Sequence, residues 1–165
     1  MRRRLKAADS PFHPIQAKVA NWLSDHPHVR TLAIYSHLPG EIPLSHLVST
    51  HPERRWVFPR VNGKTMTFHE VRESHSDLST GSFGILEPLS HLPEVPAQEI
   101  DAFFCPGLAF DLSGRRLGRG KGFYDRILAK ARNDALKIGV CHAFQLVAKI
   151  ETEPHDIAMD EVISC

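Results

Sequence analysis

The stretch from Ile100 to Arg126 constrains the fold more than any other part of the chain. Ile100 to Leu108 is an almost unbroken apolar run, interrupted at Pro106-Gly107, of the kind that suits a strand buried on both faces. Phe123 to Ala131 reads as an amphipathic helix with Tyr124, Ile127, Leu128 and Ala131 on one face. Between them lies Gly118-Arg119-Gly120-Lys121-Gly122. A buried strand, a glycine loop and a helix, in that order, belong to an α/β architecture.

The rest of the chain agrees. Phe12 to Asp25 carries Ile15, Val19, Trp22 and Leu23 at helical spacing, with Ser10-Pro11 as a start and His26-Pro27-His28 as a stop. Thr31 to Ser36 reads as a strand, Leu38 to Glu41 as the turn at its end, and Leu44 to Thr50 as a short helix. Arg55 to Phe58 reads as a strand ended by Pro59, and Thr65 to Glu70 as another after the Asn62-Gly63 turn signal. Ser74 to Pro96 reads mostly as loop. Lys137 to Cys141 and Glu161 to Ile163 supply the last strands. Strands alternating with helices predict an α/β fold with a mainly parallel sheet, and 165 residues without repeat or linker predict one domain, 1–165.

The glycine loop points to phosphate. Glycines let the backbone approach a ligand, and successive N–H groups can then form an anion nest. A helix start adds partial positive charge. Arg119 and Lys121 add two full charges, one forked and one point-like. An exposed basic turn would account for the glycines, but not for Arg115, Arg116, Arg119, Lys121 and Arg126 gathering in one segment. The standard motifs fail. A Walker A loop would need glycine where Arg115 stands and Ser or Thr where Gly122 stands, and a dinucleotide fingerprint would need glycine where Phe123 stands. Asp125 reads either as a first-turn carboxylate facing the helix dipole or as a Mg²⁺ ligand beside phosphate. Asp156 reads either as a turn-forming residue or as a second such ligand.

Composition removes several function classes. Lys plus Arg number 20 against 19 Asp plus Glu, a net charge of +1, so bulk attraction to nucleic acid or anionic membrane is absent. The eleven histidines form no zinc pattern. Three cysteines without a CxxC pair fit a reducing cytoplasm, with Cys105 and Cys141 as core residues in apolar runs. No apolar window of roughly 18 residues exists. The basic start, Arg2 to Lys6, leads into Ala7-Ala8-Asp9-Ser10-Pro11 and not into an apolar core, so secretion is not expected.

The loop is part of a longer pattern: Pro106-Gly107-Leu108-Ala109-Phe110-Asp111, then Gly114, then Arg116-Leu117-Gly118-Arg119-Gly120-Lys121-Gly122-Phe123-Tyr124-Asp125. Elsewhere stand Pro39-Gly40-Glu41, Phe58-Pro59-Arg60-Val61, Gly84-Ile85-Leu86-Glu87-Pro88, and His155-Asp156 ahead of Asp160-Glu161-Val162-Ile163. From the first strand onward the chain resembles the 5-formyltetrahydrofolate cyclo-ligase (methenyltetrahydrofolate synthetase) family.

That resemblance implies a three-layer α/β sandwich of the NagB/RpiA/CoA transferase-like kind, with a mainly parallel sheet flanked by helices. It implies ATP- and Mg²⁺-dependent cyclisation of 5-formyltetrahydrofolate to 5,10-methenyltetrahydrofolate, releasing ADP and phosphate. ATP would lie on Arg116, Gly118, Arg119, Gly120, Lys121, Gly122, Phe123 and Tyr124, with Arg119 and Lys121 as the catalytic cations. Mg²⁺ would sit at Asp125 and Asp156, and the reduced folate at Ser36, Glu41, Arg60 and Tyr124. The family's basic Lys-x-x-Leu-Arg start is approximated by Arg2-Arg3-Arg4-Leu5-Lys6, making Arg2 and Lys6 ATP contacts, although the segment that follows is shorter than usual. The implied partners are small molecules, with neither nucleic acid nor membrane, and the implied state is a cytoplasmic monomer.

Three alternatives stand beside this reading. One is a paralogue acting on another formylated or carboxylated metabolite, against which the Glu41 turn argues. Another is a non-catalytic folate- or nucleotide-binding protein, against which the pair Asp125 and Asp156 argues. The last is an RNA-binding domain, against which near-zero charge and the lack of an aromatic platform argue.

Overall fold

The computed structural model describes residues 14–81 and 84–165. Arg2, Lys6 and the Ser10-Pro11 start expected for the first helix lie outside the described residues. The first half of the chain forms α1 (Ile15–Asp25), β1 (Thr31–Ala33), α2 (Leu47–Thr50), β2 (Arg55–Asn62), β3 (Thr65–Glu70), α3 (Ser74–Asp77), β4 (Leu78–Thr80), β5 (Leu86–Pro88) and β6 (Glu94–Val95). The second forms β7 (Ala102–Cys105), β8 (Ala109–Asp111), β9 (Arg116–Leu117), α4 (Phe123–Leu128), β10 (Leu136–Cys141), β11 (Leu146–Val147) and β12 (Glu161–Ser164).

Seven strands make the main sheet in the order β12-β10-β7-β1-β2-β3-β6. The pairs from β12 to β2 are parallel, and β3 and β6 add antiparallel strands at one edge. The sheet is therefore mainly parallel, as the sequence predicts. Both faces of β7 are covered, which accounts for its apolar run. Phe104 meets Trp22 of α1 edge-on at 5.4 Å, while Phe103 points the other way and meets Phe68 of β3 at 5.8 Å. Either phenylalanine cut to alanine would cost about 3–5 kcal/mol. The core is thus two clusters divided by the sheet. One holds α1 and α2 with Leu32, Trp56 and Phe58; the other holds α4 with Val57, Phe103 and Phe110.

Several expectations need correction. The first strand stops at Ala33 and not at Ser36, and α2 begins at Leu47 and not at Leu44. Pro59 does not end β2, which continues to Asn62. The Asn62↔Thr65 pair closes the hairpin, and alternation from it puts Pro59 opposite Phe68 at a position where the backbone nitrogen faces away from β3. On that side β1 has ended, since its register stops at Ala33↔Val57, so no ladder bond is lost. The segment Ser74 to Pro96 is not mainly loop, because it contains α3 and three short strands. The helix from Phe123 stops at Leu128 and not at Ala131, its last turns tightening into bonds from Lys130 N–H to Ile127 O and from Ala131 N–H to Leu128 O.

A small sheet, β11-β8-β9, packs over the main one and carries the glycine loop. Its anchor is Phe110, whose ring lies against two glycines. A Cβ on Gly139 would come within 2.5 Å of that ring, and one on Gly107 within 2.8 Å. The turn from β8 to β9 is tied by Asp111. Ser113 N–H and Arg115 N–H donate to Asp111 Oδ1 at 2.9 and 3.0 Å, and Ile150 N–H donates to Oδ2 at 3.0 Å. Gly114 closes the turn at φ 80°, where a Cβ would lie 2.1 Å from the Met159 carbonyl oxygen. Only glycine meets both conditions.

Candidate active site

The chain leaves β1 toward β2 on one side and later returns as β7 on the other, so the sheet changes winding direction between β1 and β7. In open α/β sheets the crevice at such a point, beyond the carboxyl ends of the strands, is where ligands bind. A cleft of about 620 Å³ opens there. Tyr35, Ser36 and Glu41 enter it from the end of β1, Pro106 and Gly107 from the end of β7, and Pro59 and Val61 from β2. The whole segment Arg116 to Asp125 forms a wall, and Glu151, Glu153, His155 and Asp156 form a rim.

Most of the residues singled out in the sequence therefore converge: Ser36, Glu41, Arg116, Gly118 to Tyr124, Asp125 and Asp156 all line the cleft. Arg60 does not line it. Its guanidinium turns to Pro88 and donates to the carbonyl oxygen at 2.7 Å, bracing β5 against β2.

The cations are used differently. Arg119 Nη2 stands 2.7 Å from Glu41 Oε1, and its side chain is 38% exposed. The Arg116 side chain is only 6% exposed and is held by the chain itself. It donates to Pro106 O at 3.2 Å, lies 3.5 Å from Asp125 Oδ2, and places its guanidinium 5.3 Å over the Tyr124 ring. Such a cation–π contact is worth about 0.5–2 kcal/mol. Arg116 thus orients Tyr124 and Asp125. Lys121 is exposed on the loop. Gly120 and Gly122 take positive φ, 87° and 65°, so the loop adopts a path closed to most side chains. Because α4 is six residues long, its dipole adds little, and the side-chain cations dominate the local charge.

The Glu41 carboxylate is held from both sides. Leu38 N–H donates to Oε2 at 2.9 Å while Arg119 pairs with Oε1. Gly40, just before it, is fixed by the residue that follows β10. His142 Nε2 lies 3.1 Å from Gly40 O, and the same ring accepts the Gln145 backbone N–H. The Gln145 side chain in turn donates to Gly107 O at 2.7 Å. His142 and Gln145 hold two walls of the cleft together, and neither carries a sequence signal of this role.

Two hydroxyl groups at the cleft, Ser36 Oγ and Tyr124 OH, are buried with no hydrogen-bond partner among the described residues. Burial pushes the Tyr124 phenol well above its usual range, helped by Cys105 and opposed by Arg116. Burial, then Glu41, does the same to Tyr35, whose hydroxyl donates to Ile42 O at 2.8 Å. Both phenols stay protonated and remain donors. Cys105 and Cys141 are buried, and burial pushes each thiol up to about 12, which makes them packing residues as expected.

Asp125 and Asp156 both line the cleft. Ile157 N–H donates to Asp125 Oδ1 at 3.1 Å, and Glu153 N–H donates to Asp156 Oδ2 at 2.7 Å. Among the described residues no group of three or more His, Cys, Asp or Glu side chains converges on one point. One or two carboxylates beside a phosphate site suit Mg²⁺, which takes its other ligands from phosphate and water. Glu87, Tyr35 and the Glu151–Glu153 rim also line the cleft and were not singled out as site residues. Only Glu87 had a signal, the Gly-Ile-x-Glu-Pro element.

A mainly parallel sheet with a cation-bearing glycine loop facing a turn carboxylate across the β1/β7 crevice defines an α/β protein with a small-molecule cleft. The family model for 5-formyltetrahydrofolate cyclo-ligases matches residues 2–165, and the chain belongs to that family. It is 44% identical over 90 residues to the 5-formyltetrahydrofolate cyclo-ligase of Mycolicibacterium smegmatis, covering 53% of this chain and 45% of the relative. It is 29% identical over 149 residues to the 5-formyltetrahydrofolate cyclo-ligase of Mycoplasma genitalium, covering 90% of this chain and 81% of the relative. The match thus spans about half the length of some curated relatives, such as 45% and 47% for the first two, and most of others. Among solved structures, the NMR structure of Aquifex aeolicus 5,10-methenyltetrahydrofolate synthetase superposes with a TM-score of 0.82 at 30% identity, covering 99% of this chain and 84% of that one. The Mycoplasma pneumoniae 5,10-methenyltetrahydrofolate synthetase shares the fold, with a TM-score of 0.77 at 24% identity over 98% of this chain and 92% of that one.

Proposed function

We propose that the chain catalyses ATP-dependent cyclisation of 5-formyltetrahydrofolate to 5,10-methenyltetrahydrofolate, with release of ADP and phosphate. The observation that carries this reading is the contact between Arg119 and Glu41, 2.7 Å apart. It brings the loop read as the phosphate site against the turn read as the pteridine site, so a terminal phosphoryl group and a formyl group can meet in one cleft.

The chemistry needs alignment more than a protein nucleophile. The formyl oxygen is a poor leaving group. Its attack on the γ-phosphorus forms a new P–O bond and breaks the bond to the β-phosphate oxygen, which leaves with ADP. The folate's secondary amine, N10, then attacks the activated carbon and loses its proton. The carbon–oxygen bond breaks, and phosphate departs with the former formyl oxygen. Arg119 and Lys121 compensate the charge that develops on the transferring group, an electrostatic task that positioned cations perform with little reorganisation. Arg116, Gly118, Gly120, Gly122, Phe123 and Tyr124 form the bed for the triphosphate. Glu41, Ser36 and Tyr124 present one acceptor and two buried hydroxyls to the folate. Holding both substrates in register contributes through proximity. Arg60, turned to Pro88, serves the folate side indirectly by fixing β5.

Asp125 and Asp156 would hold Mg²⁺ with the nucleotide. The ion supplies charge neutralisation on the phosphate oxygens when bound. Three free cysteines, Cys105, Cys141 and Cys165, fit a reducing cytoplasm, and we read the protein as a monomer there. No helix among the described residues is long and apolar enough to cross a membrane.

The test is a spectrophotometric assay with protein, 5-formyltetrahydrofolate, ATP and Mg²⁺. The near-ultraviolet absorbance of the methenyl product should rise only when ATP is present. No rise, or a rise independent of ATP, would overturn the reading.

A further inference from the structure

Glu87 is an acidic side chain that the reading above does not use. It is 2% exposed, yet it borders the cleft. The fold holds it there from several directions. Its strand pairs with β4 in the register Ser79↔Glu87. Arg60 donates to the next residue's carbonyl, Pro88 O, at 2.7 Å. Val61 N–H donates to Glu87 Oε1 at 3.1 Å. That N–H lies on the side of β2 that β1 no longer covers, so the Glu87 side chain supplies the acceptor that the ladder lacks. The opposite side is closed by Gly81, which turns back onto Ile85 through a bond of 2.7 Å. A Cβ on Gly81 would lie 2.2 Å from Glu87 Oε2. The carboxyl group is seated between a backbone donor and a glycine, and no cation pairs with it among the described residues.

A buried carboxyl group with a single backbone donor is costly unless something else satisfies it. Pro59, Val61, Met66 and Ile85 line the same cleft and give it apolar surface against which a flat ring could pack. At Glu41, the other acidic group facing the cleft from the sheet, both oxygens are already engaged, by Arg119 and by Leu38 N–H. A reduced pteridine carries N–H donors on more than one edge. We infer that Glu87 accepts a hydrogen bond from an N–H edge of the pteridine that Glu41 does not reach, and so sets recognition of the folate ring. This inference rests on the cyclo-ligase reading for the identity of the ligand.

Glu87→Gln separates binding from folding. Glutamine keeps an oxygen for Val61 N–H but replaces the second acceptor oxygen, the one beside Gly81, with an amide donor. Calorimetric titration with 5-formyltetrahydrofolate, without ATP, should show at least a tenfold loss of affinity, while the melting temperature and the KM for ATP stay at wild-type values. The same loss is expected with 5-formyltetrahydropterin, which lacks the benzoylglutamate tail. Unchanged folate affinity in Glu87→Gln overturns the inference. So does a parallel fall in stability and ATP use, which would make Glu87 a brace for β2 alone, and so does a loss seen with the folate but not with the pterin. The wild-type turnover assay reports separately on the parent reading. A wild type that binds the folate but forms no methenyl product removes the proposed reaction and leaves the Glu87 comparison intact. A wild type that does not bind it removes both.

Discussion

Arg119 and Glu41, 78 positions apart in the chain, form an ion pair at 2.7 Å that joins the glycine loop to the turn after β1. The Glu41 side chain is 6% exposed, so the pair is largely sheltered on the carboxylate side. A nucleotide phosphate arriving on the loop must share Arg119 with Glu41 or take it away. On the proposed reading the two substrate sites would be linked through one guanidinium, and linkage of this kind is reciprocal. Glu41→Gln, Arg119→Gln and the double variant should be non-additive in kcat/KM by at least about 0.5 kcal/mol, as for groups in direct contact. Glu41→Gln should act mainly on the KM for folate, raising it at least tenfold. Strict additivity across the cycle would show that the pair has no part in turnover.

Lys121 lies on the same loop and is exposed. Lys121→Ala should lower kcat by about 10²–10³-fold, the range for loss of one positioned group that stabilises transition-state charge. The KM for folate should change little, because the lysine is read on the phosphoryl side. Turnover near the wild-type rate would remove Lys121 from the catalytic set.

Much of this arrangement was legible in the sequence where local chemistry and tertiary environment agree. Thr65 to Glu70 alternates beside an Asn-Gly turn, and β3 has those bounds. The run before Pro106 is apolar because both faces of β7 are covered. Legibility failed where distant residues decide. Pro59 remains in a strand only because β1 ends before reaching it. The strands β8, β9 and β11 are too short to show periodicity, and they exist because Phe110 seats on Gly107 and Gly139. The Arg119–Glu41 pair, the turn of Arg60 toward Pro88 and the His142–Gln145 clamp join segments far apart in the chain, which no local pattern encodes.

The two expected Mg²⁺ carboxylates differ in what else they hold. Asp125 lies 3.5 Å from the buried Arg116 and accepts the Ile157 N–H, whereas among the described residues Asp156 is bonded only locally, to Glu153 N–H and beside His155. Asp156→Asn should therefore raise the half-saturating Mg²⁺ concentration, by roughly tenfold, the scale of losing one ligand interaction of about 1.4 kcal/mol, without changing the melting temperature. Asp125→Asn should do the same and also lower the melting temperature, because it leaves the Arg116 cation buried without its counter-charge. Metal titrations paired with thermal melts read both effects. A metal requirement unchanged in both variants would place the ion elsewhere.

Acid should loosen the glycine loop through Asp111. Burial tends to raise the pKa of this carboxyl group, but the Ile150, Arg115 and Ser113 N–H groups, together with the Arg115 charge, hold it below the usual carboxylate range. A carboxylate depressed in the folded state adds stability above its unfolded pKa of about 3.9, and that contribution is lost as pH falls from there through the folded value. Asp111→Asn cannot accept all three N–H groups, since its amide nitrogen would face one of them. The variant should melt roughly 5 °C below the wild type at pH 7. As pH falls below about 4, the wild type should lose stability more steeply than the variant, and the gap should narrow. Because the turn at Asp111 sets the path into Arg116 and the glycines, the variant should also show a raised KM for ATP at neutral pH. Melting curves from pH 3 to 7 that run parallel for the two proteins, in steps of roughly one unit, would exclude Asp111 as the titrating anchor.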